Sequence, residues 1–306
     1  MRVAVVDIGT NSTRLLIAEV SGDGGLTELD RRSVVTRLGE GVDATGALGE
    51  VPQQRVFAVL ESYAEAMDAE RCEVRTAVMT SAVRDASNGA AFAETVRERY
   101  GLVGRTLSGD EEAQLSYAGA TAARDAADGR PLLMVDIGGG STELVVGAGG
   151  RVGFHVSTQA GVVRHSERHL PTDPPDAAGI EALAADVRTV FALAVPEDVR
   201  ASVRQAVAVA GTATQCAAID LGLEPYDASR TEGHVLRLAV LEDIGTRLAA
   251  LPLAERVQVR GLDPDRAPTI VAGVVILLEV LRAFGLEEVE VSERDILWGV
   301  ALAAAA

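Results

Sequence analysis

The chain opens on an uninterrupted apolar run, Val3 to Val6, crosses a short polar segment containing Gly9, and returns to apolar residues at Leu15 to Ile17. Short apolar runs on either side of a glycine-containing turn predict two strands joined as a β-hairpin. The same pattern recurs 129 positions later, with Leu132 to Val135 before the turn and Leu144 to Val146 after it. Laid over each other without a gap, Asp7-Ile8-Gly9-Thr10-Asn11-Ser12-Thr13-Arg14-Leu15 and Asp136-Ile137-Gly138-Gly139-Gly140-Ser141-Thr142-Glu143-Leu144 agree at six of nine positions. A self-match at a fixed offset is the mark of a duplication, so two related domains are expected, each opening on this hairpin. Val207 to Thr214 reads as a further strand, turn and helix, and Ala77 to Met79 as a strand ending in a strand-to-helix loop. Ile270 to Leu278 predicts a buried helix, too short for a bilayer that needs about 20 apolar residues. A closing helix is expected from Glu293 to Ala305, with Ala303 to Ala306 as its end. Gly22 to Gly25 reads as a hairpin turn, and Pro171 to Pro175 as a helix break.

Composition narrows the class. Of the 306 residues 48% are apolar but only 3% aromatic, so the cores must be filled by Val, Leu, Ile and Ala, which suits parallel α/β sheets better than β-sandwiches. The length suggests two domains, with the split expected near residue 125, in the Ala122 to Gly129 stretch: 1–125 and 126–306, the last helix packing back on the first domain. All 28 basic residues are arginine, set against 45 acidic ones, for a net charge of −17. The absence of lysine excludes a P-loop ending in Gly-Lys and any Schiff-base mechanism, and the acidic balance argues against nucleic acid as a partner. Cys72 and Cys216, far apart and in no Cys-x-x-Cys spacing, are expected as reduced, buried thiols. The chain begins directly in a strand, without a signal-like segment, so a cytoplasmic protein without a membrane span is expected.

The repeated hairpin carries legible chemistry. Glycines let backbone approach a ligand closely, and successive N–H groups in such a turn form an anion-binding concavity. Ser12, Thr13, Ser141 and Thr142 add hydroxyls, while Asp7 and Asp136 stand where a carboxylate could hold Mg²⁺. Either loop taken alone could equally be an Asx-type turn without a ligand. Ser108-Gly109-Asp110-Glu111 has the spacing of a capping box ahead of a helix running to about Ala127; with Glu111 spent on the cap, Glu112 is left in the first turn. There it could act as a general base, or only complement the helix dipole. Arg84, on the loop after Met79, could grip a phosphoryl group with parallel N–H donors, or pair with Asp85 or Glu94 on the surface. His165 and His169 share one helix face, but no glutamate follows His165 as a zincin requires, so zinc is not expected.

These pieces together resemble the exopolyphosphatase / guanosine pentaphosphate phosphohydrolase (Ppx/GppA) family, within the acetate and sugar kinase, chaperone and actin superfamily. The resemblance extends through Thr80 to Ala86, Ser108 to Ala113, Ala210 to Thr214, Asp265 to Gly273, Val291 to Glu293 and Leu297 to Val300. It implies two duplicated ribonuclease-H-like α/β domains with an interdomain cleft, in the short two-domain form without a further C-terminal helical domain. It implies hydrolysis of the terminal phosphoanhydride of inorganic polyphosphate, with removal of the 5′ phosphate of guanosine pentaphosphate as the alternative, and an ATP-dependent kinase or actin-like ATPase as a more distant one. The resemblance places the catalytic glutamate at Glu112 and a catalytic arginine at Arg84. Substrate contacts fall on Gly9, Asn11, Ser12, Thr13, Gly138, Gly139, Gly140, Ser141, Thr142, Gly211 and Thr212, and Mg²⁺ near Asp7, Asp136 and Glu143. Arg14 is a weaker candidate, since histidine is tolerated at that family position. A homodimer is expected at the family level. Without the extra C-terminal domain or a lysine-lined track, this form is expected to favour short chains or a nucleotide over long polyphosphate, and its negative charge to slow encounter.

Overall fold

Both hairpins form, and each lies inside its own sheet in the computed structural model, which describes all residues except 22–24, 126 and 306. The turn expected at Gly22 to Gly25 falls mostly outside the described residues. The chain runs β1 (Arg2–Ile8), β2 (Ser12–Val20), β3 (Leu26–Val35), α1 (Val42–Thr45), α2 (Glu50–Ala69), β4 (Val74–Met79), α3 (Ser81–Asp85), α4 (Gly89–Tyr100), β5 (Val103–Thr106) and α5 (Gly109–Thr121). It continues with β6 (Leu132–Ile137), β7 (Thr142–Ala148), β8 (Arg151–Thr158), α6 (Val162–His169), α7 (Ala177–Ala194), α8 (Glu197–Ser202), β9 (Gln205–Val209) and α9 (Ala210–Leu221). After α10 (Ala228–Thr231), β10 (Val235–Arg237), α11 (Leu238–Ala250), α12 (Leu253–Arg256), α13 (Ile270–Phe284) and β11 (Glu288–Val291), it closes on α14 (Ile296–Ala305). Two compact units result: Met1–Ala122 together with the segment from Arg294 onward, and Ala123–Glu293.

The duplication is written in the sheet orders. The first sheet runs β3-β2-β1-β4-β5; the second, read from its β8 edge, runs β8-β7-β6-β9-β11 and adds β10 at the far edge. In both, the first three strands pair antiparallel and the next two join parallel to the first. This is the ribonuclease-H-like order, reached twice. The apolar run of β1 is continuous because helices cover both faces of its sheet. Ala4, Val6 and Ile8 go to one core with Val56, Leu60 and Met67 of α2, while Val3 and Val5 go to another with Leu297, Val300 and Ala301 of α14.

Helix α14 crosses α5 with almost no space between backbones. A Cβ added at Gly119 would lie 1.9 Å from Asp295 O, and one added at Gly299 would lie 1.9 Å from Leu115 O. The two glycines thus fix where α5 presents its first turn. The capping box is present as expected: Glu111 N donates to Ser108 Oγ at 3.2 Å, and Ser108 N donates to Glu111 Oε2 at 2.9 Å. The Ser108 backbone N–H, and after it the Ser108 hydroxyl donating to the same Oε2 at 3.0 Å, hold the Glu111 carboxyl below the usual carboxylate range. Ser108→Ala is expected to cost about 0.5–2 kcal/mol in urea unfolding, the usual loss of an N-cap hydroxyl.

Two helix limits differ from expectation. Helix α5 ends at Thr121 rather than near Ala127, because Asp125 and Asp128 accept from the backbone N–H of Ala127 and Arg130 and draw the chain into turns. Helix α14 begins at Ile296 rather than Glu293, since the Asp295 carboxylate accepts from Leu297 N and caps the helix there. Ile270 to Leu278 is buried as expected, within the longer α13. Both cysteines are free and buried, and burial followed by the nearby Asp220 charge pushes the Cys216 thiol up to about 12. No helix among the described residues is long and apolar enough to cross a membrane.

Candidate active site

The two hairpin loops are built alike. Gly9 N donates to Ser12 O at 3.0 Å and Gly138 N to Ser141 O at 2.9 Å, the same bond closing both turns. Behind each loop, the segment following the third strand of the sheet holds its carbonyls. Gly39 N donates to Thr10 O, and Thr36 and Arg37 donate to Asn11 O; Val162 N donates to Gly138 O, Val163 N to Gly139 O, and Arg164 Nε to Gly140 O. In a trans peptide the C=O and the following N–H point opposite ways. Fixing the carbonyls of residues 10 and 11 therefore turns the N–H groups of Asn11 and Ser12 outward, and fixing 138 to 140 does the same for Gly139, Gly140 and Ser141. Outward-turned N–H groups in series are the arrangement from which backbone anion-binding concavities are made.

Hydroxyl roles divide. Thr13 Oγ1 bonds Thr36 Oγ1 at 3.0 Å, and Thr142 Oγ1 donates to Ala160 O, so both threonines brace their loops from behind. Thr13 O in turn accepts from Tyr63 O–H at 2.8 Å. Thr10, which the motif reading passed over, joins the first loop to the next element: its Oγ1 accepts from Ala82 N at the start of α3, 3.1 Å away.

The hairpins diverge at one facing pair. In the first, Asp7 lies opposite Arg14; in the second, Asp136 lies opposite Glu143. Arg14 grips Asp7 Oδ2 through Nε at 2.9 Å and Nη2 at 2.6 Å, and its Nη1 donates to Asp295. Burial, the largest influence, raises the Asp7 carboxyl above its ordinary range against the pull of Arg14. Asp7 Oδ1 and Asn11 Oδ1 are buried without hydrogen-bond partners among the described residues, acceptors of the kind a hydrated cation uses. In the second hairpin two buried carboxylates face each other across the ladder, Glu143 also accepting from Ser157 Oγ at 2.8 Å. Both donor sets fit a hard divalent cation.

Arg84 and Glu112 meet. Arg84 Nη1 donates to Glu112 Oε2 at 3.0 Å and to Leu107 O at 2.9 Å. Two expectations change here. Arg84 lies in the last turn of the short helix α3, not on a loop, because Ser81 to Asp85 coil directly after β4. Glu112 is not left over after capping but engaged by Arg84, and it is only 7% exposed despite standing in a helix's first turn. Of the surface partners considered for Arg84, Asp85 lies at 3.9 Å and Glu94 is taken by Arg97. Loop, α3 and α5 thus form one connected chain of contacts: Thr10 to Ala82, Arg84 to Glu112.

The third segment differs from the hairpins. Ala210 sits in the left-handed region at φ 63° and starts α9. A Cβ at Gly211 would fall 1.8 Å from Arg266 Nη1, so glycine is required for the guanidinium to lie there. Thr212 is buried and packs against Gly273 of α13; it does not cap α9. Arg266 and Asp295 were outside the candidate set: each comes to its partner from a distant stretch of chain, and only the resemblance, which passes through Asp265 to Gly273, pointed toward the first.

Comparison with known proteins agrees with this architecture. Residues 16–304 match the Ppx/GppA phosphatase family. Exopolyphosphatase 2 of Mycobacterium tuberculosis is 35% identical over 318 residues, covering 99% of this chain and 98% of the relative. Exopolyphosphatase 1 of Mycobacterium bovis is 28% identical over 299 residues, covering 95% and 84%. Among solved structures, an exopolyphosphatase-like protein superposes with a TM-score of 0.92 at 31% identity over 100% of this chain and 99% of that one. The Aquifex aeolicus Ppx/GppA family member gives 0.81 at 32%, covering 99% and 97%. On this match, and on a duplicated sheet order that carries the family's motifs to its loops, the chain belongs to the Ppx/GppA phosphatase family.

Proposed function

We propose that the protein is an exopolyphosphatase that removes the terminal phosphate of short inorganic polyphosphate chains by direct attack of water. The observation that carries the reading is the buried Glu112, held by Arg84 at 3.0 Å at the head of α5 and linked through α3 to the first glycine loop. A carboxylate in that position can take a proton from water, and the adjacent guanidinium brings positive charge to where phosphoryl oxygens gain it. Arg84 holds Oε2 of Glu112 and so orients the carboxylate.

The outward amides of Asn11, Ser12, Gly139, Gly140 and Ser141 bind phosphate oxygens, with the Ser12 and Ser141 hydroxyls beside them. The backbone N–H groups of Gly211 and Thr212, in the first turn of α9, extend the phosphate contacts. Asp7 in the first hairpin, and Asp136 with Glu143 in the second, are the groups that hold Mg²⁺. When bound, the ion neutralises charge on the phosphate oxygens and the leaving group. Nucleophile and base remain groups of water and of this chain, so no covalent enzyme intermediate is required.

The test is orthophosphate release from short polyphosphate, long polyphosphate, guanosine pentaphosphate and ATP, measured in parallel with Mg²⁺. The expected order places short polyphosphate first by kcat/KM. A clear preference for guanosine pentaphosphate would assign the protein to the other activity of its family, and fast processive degradation of long chains would refute the short-chain preference.

A further inference from the structure

The two histidines set aside in the sequence are joined by a third group. His165 and His169, one turn apart on α6, have ring centroids 5.7 Å apart, and Asp186 of α7 lies against both. Its Oδ2 is 2.8 Å from His169 Nε2 and 3.6 Å from His165 Nε2, and one ligand atom from each of the three residues lies within 4.8 Å of the others. Arg168 reaches the same oxygen at 3.4 Å from a half-exposed position.

His165 is the informative member. The ring is 1% exposed, its Nδ1 lies 3.2 Å from Gly161 O, and its Nε2 has no hydrogen-bond partner among the described residues. A carbonyl can only accept, so Nδ1 carries a proton, and Nε2 is the ring atom left without a hydrogen bond and turned toward Asp186. Nε2 thus stands 3.6 Å from a carboxylate oxygen that His169 and Arg168 also reach, too far for a hydrogen bond and close enough for one ion to touch both.

We propose that His165, His169 and Asp186 form a transition-metal site of zinc type, distinct from the carboxylates assigned to Mg²⁺. Tetrahedral zinc with bonds of about 2.0–2.2 Å places its ligand atoms roughly 3.3–3.5 Å apart, between the 2.8 and 3.6 Å found for Asp186 and the two imidazoles. Two imidazole nitrogens and one carboxylate suit zinc, nickel or copper and are a poor set for Mg²⁺. Water completes the fourth position. The Nδ1–H of His165 on Gly161 O is the supporting bond that fixes a metal-binding imidazole's tautomer. The reading corrects the sequence expectation: the missing zincin glutamate excludes that motif, but α7 supplies a carboxylate that no local pattern reveals. The site staples α6 to α7, and α6 begins with the Val162 and Val163 amides that hold Gly138 O and Gly139 O of the second loop. Metal there therefore fixes the loop from behind.

The test uses protein stripped with a chelator, returned to excess Mg²⁺, and titrated with Zn²⁺ against a competing dye and with Co²⁺ by visible absorption. One equivalent is expected to bind, with the Co²⁺ spectrum of a four-coordinate site and a rise in Tm on adding Zn²⁺. His169→Gln and Asp186→Asn, both at partly exposed positions, should each weaken binding by at least the roughly 10–100-fold that loss of a supporting partner costs, and should abolish the Tm rise. Glu112→Gln should bind Zn²⁺ as the parent does, which separates this site from the proposed activity. Absence of stoichiometric binding in the presence of Mg²⁺, or binding unchanged in both site variants, would overturn the proposal.

Discussion

Glu112→Gln is expected to lower kcat for phosphate release from polyphosphate by about 10²–10⁴-fold, the usual weight of a general base, with KM and unfolding midpoint nearly unchanged. The replacement keeps size and keeps an oxygen to accept from Arg84 Nη1, so the contact between α3 and α5 survives. What it removes is the ability to take a proton from water. On the proposed reading phosphate binding rests on loop amides elsewhere in the fold, which is why KM should hold while kcat falls. Glu111→Gln is the matched control. It changes a carboxylate one residue away, but Glu111 is spent on the Ser108 cap and glutamine serves at that capping position too. If Glu112 were only an acidic first-turn residue, the two variants would behave alike; equal turnover in both would remove it from the mechanism.

The features that sequence made legible are those whose signal is local. Each hairpin is spelled by a run of apolar residues, a glycine turn and a second run, and the duplication is visible because both copies retain it. The capping box is four consecutive residues, and its bonds are the ones its spacing implies. Pairings between remote segments were not legible. Arg84 finds Glu112 only because β5 places α5 beside β4, so the sequence offered nearer acidic neighbours instead. Asp186 joins two histidines from another helix, and Asp295 reaches Arg14 across nearly the whole chain. A glycine such as Gly119 shows its purpose only when α14 lies against it.

Arg14→Ala is expected to destabilise the protein by about 3–5 kcal/mol, the cost of removing one partner from a buried charge cluster. Arg14 is the shared cation of two buried carboxylates, Asp7 and Asp295, whose side chains are 5% and 3% exposed. Burial already outweighs its pull on Asp7; without it, only burial and the Asp295 charge remain, and both raise the Asp7 carboxyl further. The sign for stability follows. A carboxyl whose pKa is higher folded than unfolded binds its proton more tightly in the folded state, so stability falls as pH rises from the unfolded value through the folded one. Urea unfolding of the variant should therefore show a smaller deficit in mild acid than at neutral pH. A loss merely of packing from the arginine stem would give the same deficit at every pH. A pH-independent deficit, or one below about 1 kcal/mol, the range of an exposed ion pair, would mean that Arg14 holds no buried charge in place. The position also distinguishes the two hairpins: where the second puts Glu143 opposite its aspartate, the first puts Arg14. An arginine there gives Asp7 a counter-charge from the chain itself, which is why removing Arg14 is the change expected to expose the buried carboxylate.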